Sequence, residues 1–358
     1  MSLAEKVNAG GSTSLAVLPG YQLYGLTIGS CFPFTHHLTT SCAQPDLIFE
    51  CVDSSPVEQD WQDSTPLFPT DSTSELNIYF YAQKDFDVLR LPGTGDFYIW
   101  SDRIICHLDP EASLIWLEIQ LLGTVLSFWL ERRGVLAIHA SAVVLDHGDQ
   151  ASAVGFMATS QGGKSSLAAA MVQSGCPLLT DDILPVEYFA EPVCGKSVYG
   201  RPGYAQMRLW PDQAAHFVGD YHNLLRVYPE VTKRRVPIGP NGWGRLCDVP
   251  QPIGCLYLPE RRDSECYDSE RCGKTVEIQS VSRRDAVIEL VRESFAAPIL
   301  QAMGILPQRL ALLSKIVQHV PVRRLIYPDG VSYLPQVCQA IQLDSDRGFS
   351  DEVVTYAP

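Results

Sequence analysis

Residues 158–166 read ATSQGGKSS. The stretch ends as a phosphate-binding loop ends, where Gly, four residues, Gly, Lys and Ser or Thr follow one another. Gly163, Lys164 and Ser165 stand in register, but Ala158 holds the place of the first glycine. The surroundings decide the reading. A working loop needs a strand before it and a helix after it, so that backbone N–H groups and the helix N-terminus converge on one anion. SAVGFMA (152–158) precedes with strand character. SSLAAAMVQSG (165–175) follows; it is Ala-rich and closes on Gly175, where a C-terminal glycine belongs.

Each residue of the loop then has a chemical reason. Gly162 and Gly163 let the backbone pass close to phosphate oxygens without Cβ clashes. Lys164 reaches the β- and γ-phosphates, and the Ser165 hydroxyl suits Mg²⁺. Ser160, Gln161 and Ser166 complete the expected nucleotide contacts. Ala158 removes conformational freedom but no ligand. The competing reading is a glycine turn that caps an ordinary helix. Against it stands Lys164 in the first turn, where the helix dipole disfavours a cation unless an anion is near.

One helix further on, LLTDD (178–182) ends an apolar run with two adjacent carboxylates. In phosphoryl transfer one carboxylate serves the metal and another takes the acceptor's proton. A regular strand sends neighbouring side chains to opposite faces. Asp181 and Asp182 therefore imply a break in the strand or a division of roles.

Composition bounds the rest. The chain has 358 residues, 46% hydrophobic and 19% charged, which is globular material for one large domain or two medium ones. A net charge of −14 argues against non-specific nucleic-acid or anionic-membrane binding. Eleven scattered cysteines without a Cys-x-x-Cys pair read as reduced thiols in a cytoplasmic protein, with neither zinc nor disulfide. The polar opening MSLAEKVNAGGSTS has no apolar core, so no signal peptide is expected. Ala112 to Leu130 is a mostly apolar run of membrane-spanning length, yet Glu118 and Gln120 interrupt it. Asp109 reads as its N-cap, Pro110 as its first helical residue, and Arg132, Arg133 and Gly134 as its stop. A buried core helix is expected.

Strands are expected at 75–82, 86–91 and 96–102, then across VLAIHASAVVL and QASAVGFMA on either side of the turn DHGD. Further strands fall at 252–260, 274–282 and 322–328, and helices at 283–297, 308–319 and 332–342. Residues 190–250 read as loop-rich. The mixture is an α/β fold. The expected organisation is a tail (1–14), a β-rich N-terminal domain (15–108), a connecting core helix (109–134), a phosphate-loop domain (135–345) and a second tail (346–358).

IHASAVV (138–144) followed by QASAVGFMATSQGGKSSLAAAMVQSGCPLLTDDILPVE (150–187) resembles the catalytic core of the HPr kinase/phosphorylase family. The likeness covers about residues 134 to 190. YAQMRLWPD (204–212) and PIGCLYLPE (252–260) resemble the wider set of HPr-kinase-like proteins, some of which accompany peptide-modifying systems. The resemblance implies an α/β kinase domain of the HPr kinase/phosphoenolpyruvate carboxykinase type, with a smaller β-rich N-terminal domain. It implies an ATP- and Mg²⁺-dependent serine kinase, with Lys164 and Ser165 on nucleotide and metal. It implies Asp181 as general base, Asp182 as the metal-side carboxylate and His139 as an active-site histidine. The implied acceptor is a serine of a protein or peptide, and a homo-oligomer is compatible with it. Two family glycines are Ala158 and Gln161 here, and YGRPGYAQMRLW stands where the family carries a Glu-Arg-Gly signature.

His139 alone reads equally well as a packing residue. TKRR (232–235) reads as a solvated loop, with Lys233, Arg234 and Arg235 as candidate cations for a phosphoryl group; Arg201 and Arg208 are candidates of the same kind. Tyr199, Tyr204 and Trp210 read as packing. A non-catalytic nucleotide-binding regulator, a small-molecule kinase and a sulfotransferase remain open alternatives.

Overall fold

The computed structural model describes residues 18–58, 61, 64–68, 78–146, 151–159, 162–228, 230–240, 242–262, 275–295, 297–350 and 353–356. The chain divides into two units, Met1–Arg133 with Pro298–Leu306, and Gly134–Ala297 with Pro307–Pro358. The expected tail at 1–14 lies outside the described residues. The helix assigned to a connection belongs instead to the first unit, to which residues 298–306 also return.

The first unit is one sheet of eight strands. These are β1 (Gly20–Leu23), β2 (Leu26–Gly29), β3 (Thr39–Ser41), β4 (Leu47–Val52), β5 (Tyr79–Ala82), β6 (Asp87–Leu91), β7 (Gly95–Ile99) and β8 (Arg103–Leu108), in the order β3-β1-β2-β4-β8-β7-β6-β5. Residues 75–77 of the expected 75–82 strand lie outside the described residues. Helix α1 (Leu114–Arg132) is long and apolar enough to cross a membrane by length and composition, but 78% of its apolar window is buried inside the molecule. The Tyr24 hydroxyl donates to the Leu122 carbonyl at 2.9 Å, and Phe80 packs on Phe128.

Glu118, the residue that interrupts the apolar run, explains itself. Its carboxylate accepts Thr35 N–H at 2.7 Å, the Thr35 hydroxyl at 2.5 Å and His36 N–H at 2.8 Å, with His36 Nδ1 also at 2.8 Å. A buried carboxylate tolerates its site when it is paired and hydrogen-bonded in this way. The helix starts later than expected. Ser113 is the N-cap, and Asp109 instead accepts the N–H of Gly93 in the turn between β6 and β7. The stop is at Arg132, with Gly134 left-handed beyond it (φ 74°).

The second unit runs β9 (Leu136–Ile138), β10 (Ala140–Asp146), β11 (Ala151–Met157), α2 (Lys164–Gln173), β12 (Leu178–Thr180), β13 (Leu184–Val193), β14 (Lys196–Gly200), β15 (Gln206–Leu209), α3 (Pro211–Phe217), β16 (Arg234–Pro237), β17 (Gln251–Arg262), β18 (Val276–Ser280), α4 (Arg283–Arg292), α5 (Leu306–His319), β19 (Val322–Pro328), α6 (Leu334–Asp346) and β20 (Val354–Tyr356). The sheet order is β12-β10-β11-β17-β14-β13-β9, with β19 beside β17 and β18 between β19 and β20. Residues 354–356 are thus part of the sheet and not a tail. β11 is parallel to β17, and β17 to β19.

Central strands are apolar on both faces because both faces are covered. Val154 and Phe156 of β11 join α2 and α6 in one core, while Ala153 and Met157 join α4 and α5 in another. The alanines of α2 (Ala168, Ala169, Ala170) are buried in the first core. The loop-rich reading of 190–250 gives way to β14, β15, α3 and β16. These elements are too short, and too closely flanked by Gly and Pro, to show a period. Arg234 and Arg235 of TKRR lie in β16, paired to β15, and not in a solvated loop.

Candidate active site

Two interruptions of strand structure build the site. The run expected as a single strand across His139 breaks there: β9 pairs with β13, whereas β10 pairs with β11 and β12. β9 and β10 stand near opposite ends of the seven-strand path, so one residue carries the chain across a seam where those ends meet. LLTDDILPVE crosses the same seam. β12 pairs with β10 and β13 with β9, and Asp181, Asp182 and Ile183 make the crossing. His139 and the two carboxylates are brought together because both crossings occur at one place.

The backbone solves the alternation problem at Asp182, which sits left-handed at φ 77°. Aspartate tolerates that region better than most side chains, and such outliers gather at functional sites. The two carboxylates then face different partners. Asp181 is 5% exposed and accepts three hydrogen bonds, from the Ser141 hydroxyl (2.6 Å), the Ser165 hydroxyl (2.9 Å) and Arg208 N–H (2.8 Å). Asp182 pairs with the Arg208 guanidinium at 2.6 Å and lies 3.5 Å from His139 Nε2. Burial works to raise the Asp182 pKa, but the Arg208 charge and the His139 contact outweigh it and hold the carboxyl far below the usual range.

Ser165 and Asp182 were expected on the metal side and Asp181 toward the acceptor; the Ser165 partner is Asp181, and Asp182 opens on the cavity. The cause is the left-handed turn at Asp182, which leaves Asp181 pointing in behind α2.

The loop meets this pair from the other side. Gly163 is the N-cap of α2 at φ 91°, a conformation that favours glycine. Its absent Cβ would fall 3.0 Å from the Tyr327 hydroxyl, and a Cβ on Gly162 would overlap that of Ala158. Lys164 is 7% exposed and donates to the carbonyls of Ala158 and Thr159. Burial lowers the Lys164 pKa, against the opposing pull of Asp182, Glu293 and Asp181. An anion at the loop would raise it again. Gln213 ties the helix to the next segment, since its amide donates to the Ser166 hydroxyl at 2.6 Å and its carbonyl accepts Trp210 N–H at 3.3 Å. Ser160 and Gln161 lie outside the described residues.

A cavity of about 380 Å³ opens between these elements, lined by His139, Gly162 to Ser166, Asp182 and Trp210, with the cations Arg208, Lys233 and Arg261. With Lys164, four cations and a helix N-terminus surround one small cavity whose lining carboxylates are Asp182 and Asp212, a balance that suits a polyanion. Lys233 also lies 5.2 Å over the Trp210 ring, which makes Trp210 a wall of the site as well as packing. Arg201 is elsewhere, in a two-pronged pair with Glu187. Ser141, Gln213 and Glu293 escaped the sequence reading. Ser141 carried one usable signal, a hydroxyl inside an otherwise apolar strand.

No family model and no curated protein matches the chain. Among solved structures it is similar to the Hpr(Ser) kinase/phosphatase from Coxiella burnetii, at 10% identity and a TM-score of 0.28, over 59% of this chain and 95% of that one. The likeness is distant, and the functional reading of the chain rests on the residues of the site itself.

Proposed function

We propose that the second unit is a phosphotransferase that passes a phosphoryl group from a nucleoside triphosphate to a hydroxyl, the serine of a protein or peptide. One observation carries this reading: a phosphate-loop helix terminus, the carboxylate of Asp182 and the cations Lys164, Arg208, Lys233 and Arg261 converge on one cavity, with Asp181 buried behind it on the Ser165 hydroxyl.

The residues fit ATP and Mg²⁺. The amides of Gly162 to Ser166 and the Lys164 ammonium would hold phosphate oxygens, and the Ser165 hydroxyl with Asp181 behind it offers the hard oxygen donors that phosphate-loop enzymes use for Mg²⁺. Bound there, Mg²⁺–ATP supplies an activated phosphoryl group with its charge partly neutralised.

The chain's own groups do the rest. Lys164, Arg208 and Lys233 orient the phosphoryl oxygens and balance their charge. Asp182 takes the proton of the acceptor hydroxyl, with His139 beside it. A carboxylate held by Arg208 is a weak base. An anion that draws Arg208 toward itself strengthens Asp182 at the moment of use. The same Arg208–Asp182 pair favours a second reading, a regulator that binds nucleotide without turnover.

Purified protein incubated with γ-labelled ATP, Mg²⁺ and a panel of serine peptides separates the two. Label on a peptide serine supports the kinase. ATP binding without transfer or hydrolysis supports the regulator.

A further inference from the structure

Past the end of α4 the chain does not leave the site. It lies against β9 as a short strap. Ser294 forms an antiparallel bridge with Ile138, Phe295 N–H donates to the Ala137 carbonyl at 2.9 Å, and His139 N–H donates to the Glu293 carbonyl at 2.7 Å. The strap is itself fastened. The Ser294 hydroxyl donates to the Leu290 carbonyl at 2.8 Å and accepts from the buried Arg309 at 2.7 Å. A helix was expected to run on to residue 297; pairing with the open edge of β9 ends it at Arg292.

The strap puts two side chains around His139. Phe295 meets the imidazole edge-on, with ring centroids 6.1 Å apart at 89°. Glu293 is 5% exposed, and its carboxylate oxygen lies 3.9 Å from His139 Nδ1, while Asp182 lies 3.5 Å from Nε2 on the opposite side of the ring. A buried carboxylate is costly unless cations face it. The charges that act on Glu293 favourably are those of His139, Lys164 and Arg292. Carboxylates facing the two ring nitrogens of a histidine from opposite sides favour one orientation of the ring.

We infer that Glu293 is a positioning residue for His139: its carbonyl and carboxylate, with the Phe295 ring, hold the imidazole so that Nδ1 faces Glu293 and Nε2 faces Asp182. This rests on the proposed role of Asp182, but the geometry it claims is measurable without turnover. No contact of Glu293 with nucleotide or acceptor is implied.

The test uses the full chain labelled with ¹⁵N-histidine, as wild type, Glu293→Gln and Phe295→Leu. Long-range ¹H–¹⁵N spectra should show one set of His139 ring-nitrogen signals in the wild type and a shifted or mixed set in Glu293→Gln. Phe295→Leu keeps the carboxylate, so it should keep the wild-type set while broadening the signals. Where transfer is measurable, Glu293→Gln should lower kcat about tenfold, with KM for ATP unchanged. His139 ring-nitrogen signals identical in wild type and Glu293→Gln overturn the inference, whether or not the protein is a kinase. A change in those signals with no transfer by the wild type leaves the positioning in place and removes the kinase reading instead. A Glu293→Gln effect on KM for ATP alone also overturns it, because a positioning residue acts on the step and not on nucleotide binding.

Discussion

Ser165 donates its hydroxyl to Asp181 across 2.9 Å, whereas Asp182, the next residue, meets Arg208 and His139. Of two neighbouring carboxylates, Asp182 thus lines the cavity and Asp181 lies behind it on Ser165. The separation comes from the left-handed backbone at Asp182 and from the two strand crossings at the seam.

Lys164 is the cation best placed for a polyphosphate. Lys164→Ala removes charge-assisted hydrogen bonds of about 1.5–3 kcal/mol, so ATP affinity should fall roughly 10- to 150-fold. Calorimetric titration of both proteins checks this, and equal affinities count against a nucleotide site at the loop.

Gly163 is a test of backbone geometry. Alanine there must hold φ 91° and place its Cβ 3.0 Å from the Tyr327 hydroxyl. The left-handed conformation alone costs about 1–2 kcal/mol. Gly163→Ala should lower the denaturation midpoint and weaken ATP binding, and Tyr327→Phe in the same chain should restore part of both. No loss in either readout shows that the loop does not need this conformation.

How much of the fold and the site is legible in the sequence depends on the range of the signal. The strand–loop–helix at 152–175 is plain, since it is local: apolar run, paired glycines, alanine helix. VRRLIYP is plain as β19 for the same reason. The break at His139 is not, because VLAIHASAVVL has strand propensity throughout and only the choice of neighbours, β13 against β11, interrupts it. The partners of Asp181 and Asp182 do not follow from spacing, because they turn on one φ angle. Glu293 is invisible. It lies more than a hundred residues from Asp182, inside a helical pattern, and meets the site only through pairing with β9.

Glu118 makes a prediction about pH. Burial works to raise its pKa, but the bonds from His36 and Thr35 outweigh burial and hold it below the ordinary 4.5. A carboxyl with a depressed folded pKa adds stability above its ordinary pKa, and that stability is lost as pH falls through the folded value. Glu118→Gln should therefore destabilise the protein by about 1–3 kcal/mol near neutrality. The gap to wild type should close as pH drops below about 4.5. Urea unfolding of the two proteins across that range measures it. A gap independent of pH means that the Glu118 charge plays no part.

The most direct measurement of the central claim compares Asp181→Asn with Asp182→Asn in one phosphoryl-transfer assay, at graded Mg²⁺ and with ATP affinity measured in parallel. If Asp182 takes the acceptor's proton, Asp182→Asn lowers transfer by about 10²–10⁴-fold at every Mg²⁺ concentration while ATP affinity holds. If Asp181 serves the metal through Ser165, Asp181→Asn transfers at saturating Mg²⁺ but needs about 10- to 100-fold more of it. The opposite pattern, with Asp181→Asn inactive at all Mg²⁺ and Asp182→Asn merely demanding more metal, contradicts the assignment, as does wild-type transfer by Asp182→Asn.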